Sequence, residues 1–238
     1  MTQSPLLAVE HLAVNFPDHQ VFQDLNFTLQ RGRFLSIVGE NGAGKTTLIR
    51  TLLQQLKPSS GAIRFFPERK AIRIGYVPQF RNLDEEYPLS IRDFVSLNLS
   101  GIHLPWLSHK ERQAVDTAIR STNLTAIAKR PLGMASGGEK QRAYLAQALV
   151  EQPNLLILDE STASLDNMMK YELLDLVKKF NREQNLTVIF VTHDLPLAKQ
   201  YADDYLLLRR KGYEYGPIAE LPEDALISTE RGGDLTNA

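Results

Sequence analysis

The run Gly39-Glu40-Asn41-Gly42-Ala43-Gly44-Lys45-Thr46-Thr47 constrains this chain more than any other feature. It fits G-x(4)-G-K-[ST], a loop that cradles phosphates when a strand precedes it and a helix follows. Phe34–Val38 is an apolar stretch that reads as a buried strand, and residues 48–55 read as a helix. The pattern therefore predicts an α/β fold with a nucleoside triphosphate site. Gly39, Gly42 and Gly44 are expected to let the loop curve with its N–H groups turned inward. The helix behind it adds the positive end of its dipole. Lys45 is the flexible charge that reaches the β- and γ-phosphates, and Thr46 offers a hydroxyl to Mg²⁺.

A second element completes such a site. Leu155–Leu158 is a fully apolar run ending in Asp159 and Glu160. In parallel sheets the ligand lies at the C-terminal edge, where this run delivers its two acids. Asp159 is placed to hold the Mg²⁺ shell. Glu160, one residue further, is placed to orient or deprotonate the attacking water. Gln79 follows the strand at 72–76 and could touch Mg²⁺ or that water. His193 follows the strand Thr187–Val191 and could polarise the γ-phosphate, or simply cap the helix at 194–200.

Ser136-Gly137-Gly138-Glu139 opens a helix that continues through Gln141–Leu149. Two readings fit it. One is a capping box, with Ser136 as N-cap and Glu139 at the third position. The other is a second anion site, in which each of two copies closes the γ-phosphate held by its neighbour. Spacing alone weighs them evenly.

The organisation around these motifs is continuous. Leu6–Asn15 and Phe22–Leu29 read as antiparallel strands, and Ala62–Phe66 and Ile72–Tyr76 as further strands. Residues 90–149 read as helices. A helix carrying Leu173, Leu174, Leu176, Val177 and Phe180 follows the acidic strand, and Asp204–Arg209 is a last, shorter strand. Gly216-Pro217 marks the start of a C-terminal segment with a helix, if any, near Ala219–Leu226. Residues 228–238 read as a flexible tail. Charge is nearly balanced at a formal −1, so no basic field argues for nucleic acid. The absence of cysteine excludes disulfides and thiolate chemistry. Neither a signal peptide at Met1–Pro5 nor an apolar run of about 20 residues is visible. His103 and His109 are six apart with no third ligand in reach, so surface or core placement fits them better than zinc.

Taken together, the motifs resemble the nucleotide-binding subunit of ATP-binding cassette (ABC) transporters. The phosphate loop, Gln79, the signature Ala135-Ser-Gly-Gly-Glu139, Leu155–Glu160, Ser164-Leu-Asp166 and His193 match in order and spacing over about residues 16–210. The resemblance implies a P-loop NTPase core with an N-terminal antiparallel β subdomain and a helical signature subdomain. These would form one domain over 1–227, with the core at about 1–84 and 150–227 and the helices at about 85–149. It implies that two copies sandwich two ATP molecules with Mg²⁺, that Asp166 lies at the seam, and that Phe16 stacks on adenine. Core packing is an equal reading for Phe16, with Phe22 as the fallback platform.

The resemblance further implies a homodimer held by permease subunits at the cytoplasmic face of a membrane, served by a periplasmic or surface substrate-binding protein. Residues 76–94, with Asp84, Tyr87 and Pro88, resemble the cassettes of zinc and manganese importers, which points to a divalent metal or metal chelate as cargo. Three positions depart from the family pattern: Ala135 for leucine, Glu139 for glutamine and Ser161 for the proline after the catalytic glutamate. The residues expected to do chemistry all remain.

Overall fold

The computed structural model describes residues 4–17, 19–79, 88–99, 106–162, 165–209, 212–223 and 225–226. The expected tail, His103, Ser164, Asp84 and Tyr87 lie outside them.

Two sheets organise the molecule. β1 (Pro5–Phe16) pairs antiparallel with β2 (His19–Gln30) on one side and β4 (Ser60–Phe65) on the other. The second sheet has the order β5-β6-β7-β3-β8-β9. Its parallel strands are β3 (Phe34–Gly39), β5 (Ile74–Val77), β6 (Leu155–Asp159), β7 (Thr187–Thr192) and β8 (Asp204–Arg209). β9 (Gly212–Pro217) closes the edge antiparallel to β8.

The apolar runs of the parallel strands are explained by burial on both faces. Leu155 and Ile157 of β6 face one way, with Leu35 and Ile37 of β3, against β1, β2 and the helix α1 (Lys45–Leu52). Leu156 and Leu158 face the other way, against α4 (Gly137–Leu149), α5 (Asn167–Gln184) and α6 (Leu195–Tyr201). The three-stranded sheet therefore lies on one side of the parallel sheet and the long helices on the other.

A satellite core holds the remaining helices. Ile91, Phe94 and Val95 of α2 (Ile91–Ser96) pack with Val115 and Ile119 of α3 (His109–Ser121) and with Ala143 and Ala146 of α4. α4 thus shows one face to the parallel sheet and another to α2 and α3, and it is the mechanical link between the two cores.

Several boundaries differ from expectation. α1 begins at Lys45 and ends at Leu52, where residues 48–55 were expected to be helical. Its first turn is polar because it faces the loop's ligand side, so apolar periodicity finds only the second turn. α4 begins at Gly137, because the capping box overrides the poor helix propensity of two glycines. β9 replaces the expected break at Gly216-Pro217. Ile218–Glu220 form a 3₁₀ turn, and the described residues after it, up to Leu226, form no helix.

Candidate functional site

The C-terminal edge of the parallel sheet gathers the expected residues. β3 ends at Gly39, β6 at Asp159, β7 at Thr192, and Gln79 lies two residues past β5. A cavity of about 470 Å³ opens there, lined by Asn41, Gly42, Gly44, Lys45, Thr46, Thr47, Gln79, Asp159 and Glu160, with His19 and Val21 from β2.

The glycines of the loop do different work. Gly42 and Gly44 take positive φ of 81° and 96°, which side chains resist. A Cβ on Gly44 would also come within 2.5 Å of Val21. Gly39, in contrast, is not part of the curve. It is still paired in β3, where a Cβ would meet the Leu208 carbonyl at 2.6 Å. Ala43 is buried and Glu40 half-buried, so neither side chain opens into the cavity. Gly44 is also the N-cap of α1 and provides no side-chain cap. The first N–H groups of α1 are therefore left for an anion.

Lys45 is nearly buried, and its ammonium donates to the carbonyls of Gly39 at 2.7 Å and Glu40 at 2.9 Å. It stands 3.7 Å from a Glu160 carboxylate oxygen. Burial pushes the ammonium below the ordinary lysine range, with Glu160 and Asp159 opposing that shift. Asp159 is 7% exposed. Burial pushes its carboxyl up from the ordinary aspartate value, and the neighbouring Glu160 charge adds to this. Only the Tyr76 hydroxyl, donating at 3.0 Å, and Lys45 pull it back. A carboxylate held at this cost asks for a cation. Gln79 Nε2 donates to Glu160 at 3.1 Å. Glu160 itself sits at φ 44°, with its N–H bonded to the Val191 carbonyl. That turn lifts its side chain off the strand line and into the cavity.

The other expected residues lie apart from this cavity. His193 is exposed just past β7, and Asp194 rather than His193 caps α6 by accepting from the Leu197 N–H at 3.2 Å. Asp166 is exposed and caps α5, accepting from Met169 N–H at 2.8 Å. Ser136 and Glu139 form the capping box at the start of α4. Glu139 also pairs with Arg130 at 2.5 Å. Burial opposes its charge, but Arg130 and the Ser136 N–H together hold its carboxyl below the usual range. The acid at this departure from the family pattern is therefore neutralised within the chain. The box uses the N–H groups of Ser136 and Glu139, and helix geometry leaves those of Gly137 and Gly138 without intrahelical partners. A Cβ on Gly138 would press on Met169 at 2.9 Å, whereas one on Gly137 would meet nothing nearer than 3.9 Å. Ala135 is buried in the satellite core. Phe16 is 40% exposed, stacks on His19 and does not line the cavity. Phe22 is buried against Gly44 and is core, so it offers no platform.

Sequence reasoning passed over three side chains. Tyr76 could have been found by the alternation of β5, which turns it toward β6. Gln141, fully buried in α4, donates to the carbonyl of Ser161. No motif announces it, and its role follows only from how α4 packs. His19 enters the cavity through the register of the β1–β2 hairpin, which a single sequence does not reveal.

Among the described residues no helix is long and apolar enough to cross a membrane, and no cluster of three acids or histidines could hold a metal alone. The protein-family model for ABC transporters matches residues 22–163. The zinc import ATP-binding protein ZnuC of Photorhabdus laumondii is 38% identical over 87% of this chain and 76% of its own length. The manganese transport system ATP-binding protein MntB of Halalkalibacterium halodurans is 28% identical over 98% of this chain and 94% of its own. A solved chain from a metal-chelate type ABC transporter, captured facing inward, superposes with a TM-score of 0.82 at 31% identity, covering 92% of this chain and 85% of that one. With its phosphate loop, acidic strand and signature helix in their expected order, the chain belongs to the ABC transporter family.

Proposed function

We propose that this chain is the ATP-hydrolysing subunit of a divalent-metal importer and works as a pair of copies on the cytoplasmic side of a permease. The observation that carries the reading is the convergence of Lys45, Gln79, Asp159 and Glu160 on one cavity at the uncapped start of α1. The importer assignment rests on relatives named for zinc and manganese transport.

The residues fit Mg·ATP. α1 offers free N–H groups and Lys45 to the phosphates. Thr46 and Gln79 supply neutral oxygens, and Asp159 the charged one, the hard-donor set that Mg²⁺ takes alongside phosphate oxygens and water. When bound, Mg²⁺ would supply the positive charge that offsets charge developing on the phosphates.

The chain's own residues do the rest. A triphosphate draws the Lys45 ammonium from the Gly39 and Glu40 carbonyls and releases Glu160 from it. Glu160 then takes a proton from the attacking water. His193 completes the polarisation of the γ-phosphate as its loop approaches. Gln79, bonded to Glu160, carries the change toward α2 and the permease side.

The copy opposite contributes Ser136, Gly137, Gly138 and Asp166. Gly137 supports this reading. Alanine would favour the helix there and nothing in the chain crowds it, so the glycine makes room for something from outside.

The test is reconstitution. Vesicles carrying the intact permease with this subunit should hydrolyse ATP and accumulate zinc or manganese. Hydrolysis with no divalent-metal uptake would remove the cargo assignment, and no hydrolysis in the intact complex would remove the enzyme.

A further inference from the structure

Two buried polar atoms next to the acidic strand end have no hydrogen-bond partner among the described residues. One is the hydroxyl of Ser161, the residue after Glu160, and the other is Oε1 of Gln141 on α4. Both side chains are fully buried. They belong to residues already in contact, because Gln141 Nε2 donates to the Ser161 carbonyl. A carboxamide is planar and carries its donor and acceptor side by side. Ser161 offers the matching pair, a carbonyl that accepts and a hydroxyl that donates. One of the two bonds is made and the other stands open. Leaving both atoms unpaired costs the free subunit stability, and such groups call for a reason.

The segment beside them carries the chemistry. Glu160 sits at φ 44°, with its N–H bonded to the Val191 carbonyl of β7. Gln141 holds the next residue to α4. A single bond fixes that peptide at one point and lets it pivot. The proline that Ser161 replaces has no hydroxyl and could not make a second.

We propose that Ser161 is a positioning residue for Glu160. Once a triphosphate draws Lys45 away from Glu160, 3.7 Å distant in the free subunit, the Ser161 hydroxyl turns about its Cα–Cβ bond and donates to Gln141 Oε1. A one-bond tether then becomes a two-bond clamp on the residue that follows the base. The proposal rests on the reading of Glu160 as the group that activates water.

The test compares wild type, Ser161→Ala, Gln141→Leu and the double variant. ATP hydrolysis is measured in the intact permease complex, and thermal melts are measured on the isolated subunit. Ser161→Ala should lower kcat about three- to tenfold, the worth of one hydrogen bond, and leave KM for ATP unchanged. The same variant should raise the melting temperature of the isolated subunit by about 2–4 °C, because it removes an unpaired buried hydroxyl. The double variant should turn over no more slowly than Gln141→Leu, whose loss already removes the hydroxyl's partner.

Parental kcat in Ser161→Ala would overturn the clamp. So would a loss expressed as a higher KM, which would place the effect in nucleotide binding, or a further loss in the double variant. A lower melting temperature for Ser161→Ala would show that the hydroxyl is already bonded in the free subunit, which also overturns it. A wild-type complex that does not hydrolyse ATP would instead remove the enzyme reading, and the clamp with it.

Discussion

Two helix starts in this molecule look alike in sequence and differ in structure. α1 begins after a glycine, with no side-chain cap and with a lysine folded into the loop ahead of it. α4 begins after a serine, with a complete capping box and an arginine on its acid. The first is incomplete without an anion. The second is satisfied within its own chain, apart from two N–H groups on glycine. One end thus leaves its N–H groups open to an anion, whereas the other stands finished within its own chain and, in the proposed pairing, would join a site only when a second copy brings phosphate to it.

The largest effect that could break this contrast is in turnover. Glu160→Gln should lower hydrolysis by about 10²–10⁴-fold and hold an ATP-bound pair of copies together, seen by light scattering at saturating Mg·ATP. A variant that stays monomeric and hydrolyses at the parental rate would show that neither end has the role given to it. Lys45→Ala should weaken nucleotide binding to the isolated subunit by about 1.5–3 kcal/mol, measured by calorimetry. Unchanged affinity would place the lysine outside the phosphate site.

The contrast sharpens at Gly137. Gly137→Ala should leave nucleotide binding to a single copy unchanged and should stabilise that copy by up to about 1 kcal/mol, while lowering hydrolysis that depends on pairing. A normal rate in this variant would mean that nothing approaches the glycine from outside.

The smallest effect is on stability at Asp159. Its carboxyl is raised above the ordinary 3.8 by burial, so the folded protein holds that proton more tightly than the unfolded chain does. Ionisation therefore costs stability at neutral pH. Asp159→Asn should raise the melting temperature at pH 7 by about 2–4 °C. The gap should close as pH falls through the raised value toward 3.8, where the wild-type acid is neutral as well. A lower melting temperature for the variant at neutral pH would show that the carboxylate is not strained in the free protein.

What the sequence disclosed follows from how each part is stabilised. Leu155–Leu158 and Val188–Val191 are apolar at every position because both faces are covered, so their strands could be read directly. The loop could be read because its glycines and lysine are chemical requirements. β9 could not. Its Gly-Tyr-Glu-Tyr-Gly-Pro composition is half exposed on a sheet edge, and it is held by Tyr213 and Tyr215 bonding to the backbone of β2. Such long-range pairing leaves no local periodicity. At the site, Lys45, Asp159, Glu160 and Gln79 were legible as motif residues. His19 and Gln141 were not, because their positions come from register and packing rather than spacing. The choice between cap and split site at Ser136 was open in the sequence, and the cap is what a single copy forms.

Gln141 ties its helix to the turn that follows Glu160. It sits a turn beyond the glycines that α4 would lend to a neighbouring copy, and it grips the carbonyl just past this chain's own Glu160. If two copies close as proposed, whatever tugs on α4 from the far nucleotide also tugs on the near general base. The pair would then fire in concert, and a hybrid carrying one Gln141→Ala subunit should show unequal rates at its two sites. Equal, unaltered rates would mean that the grip transmits nothing.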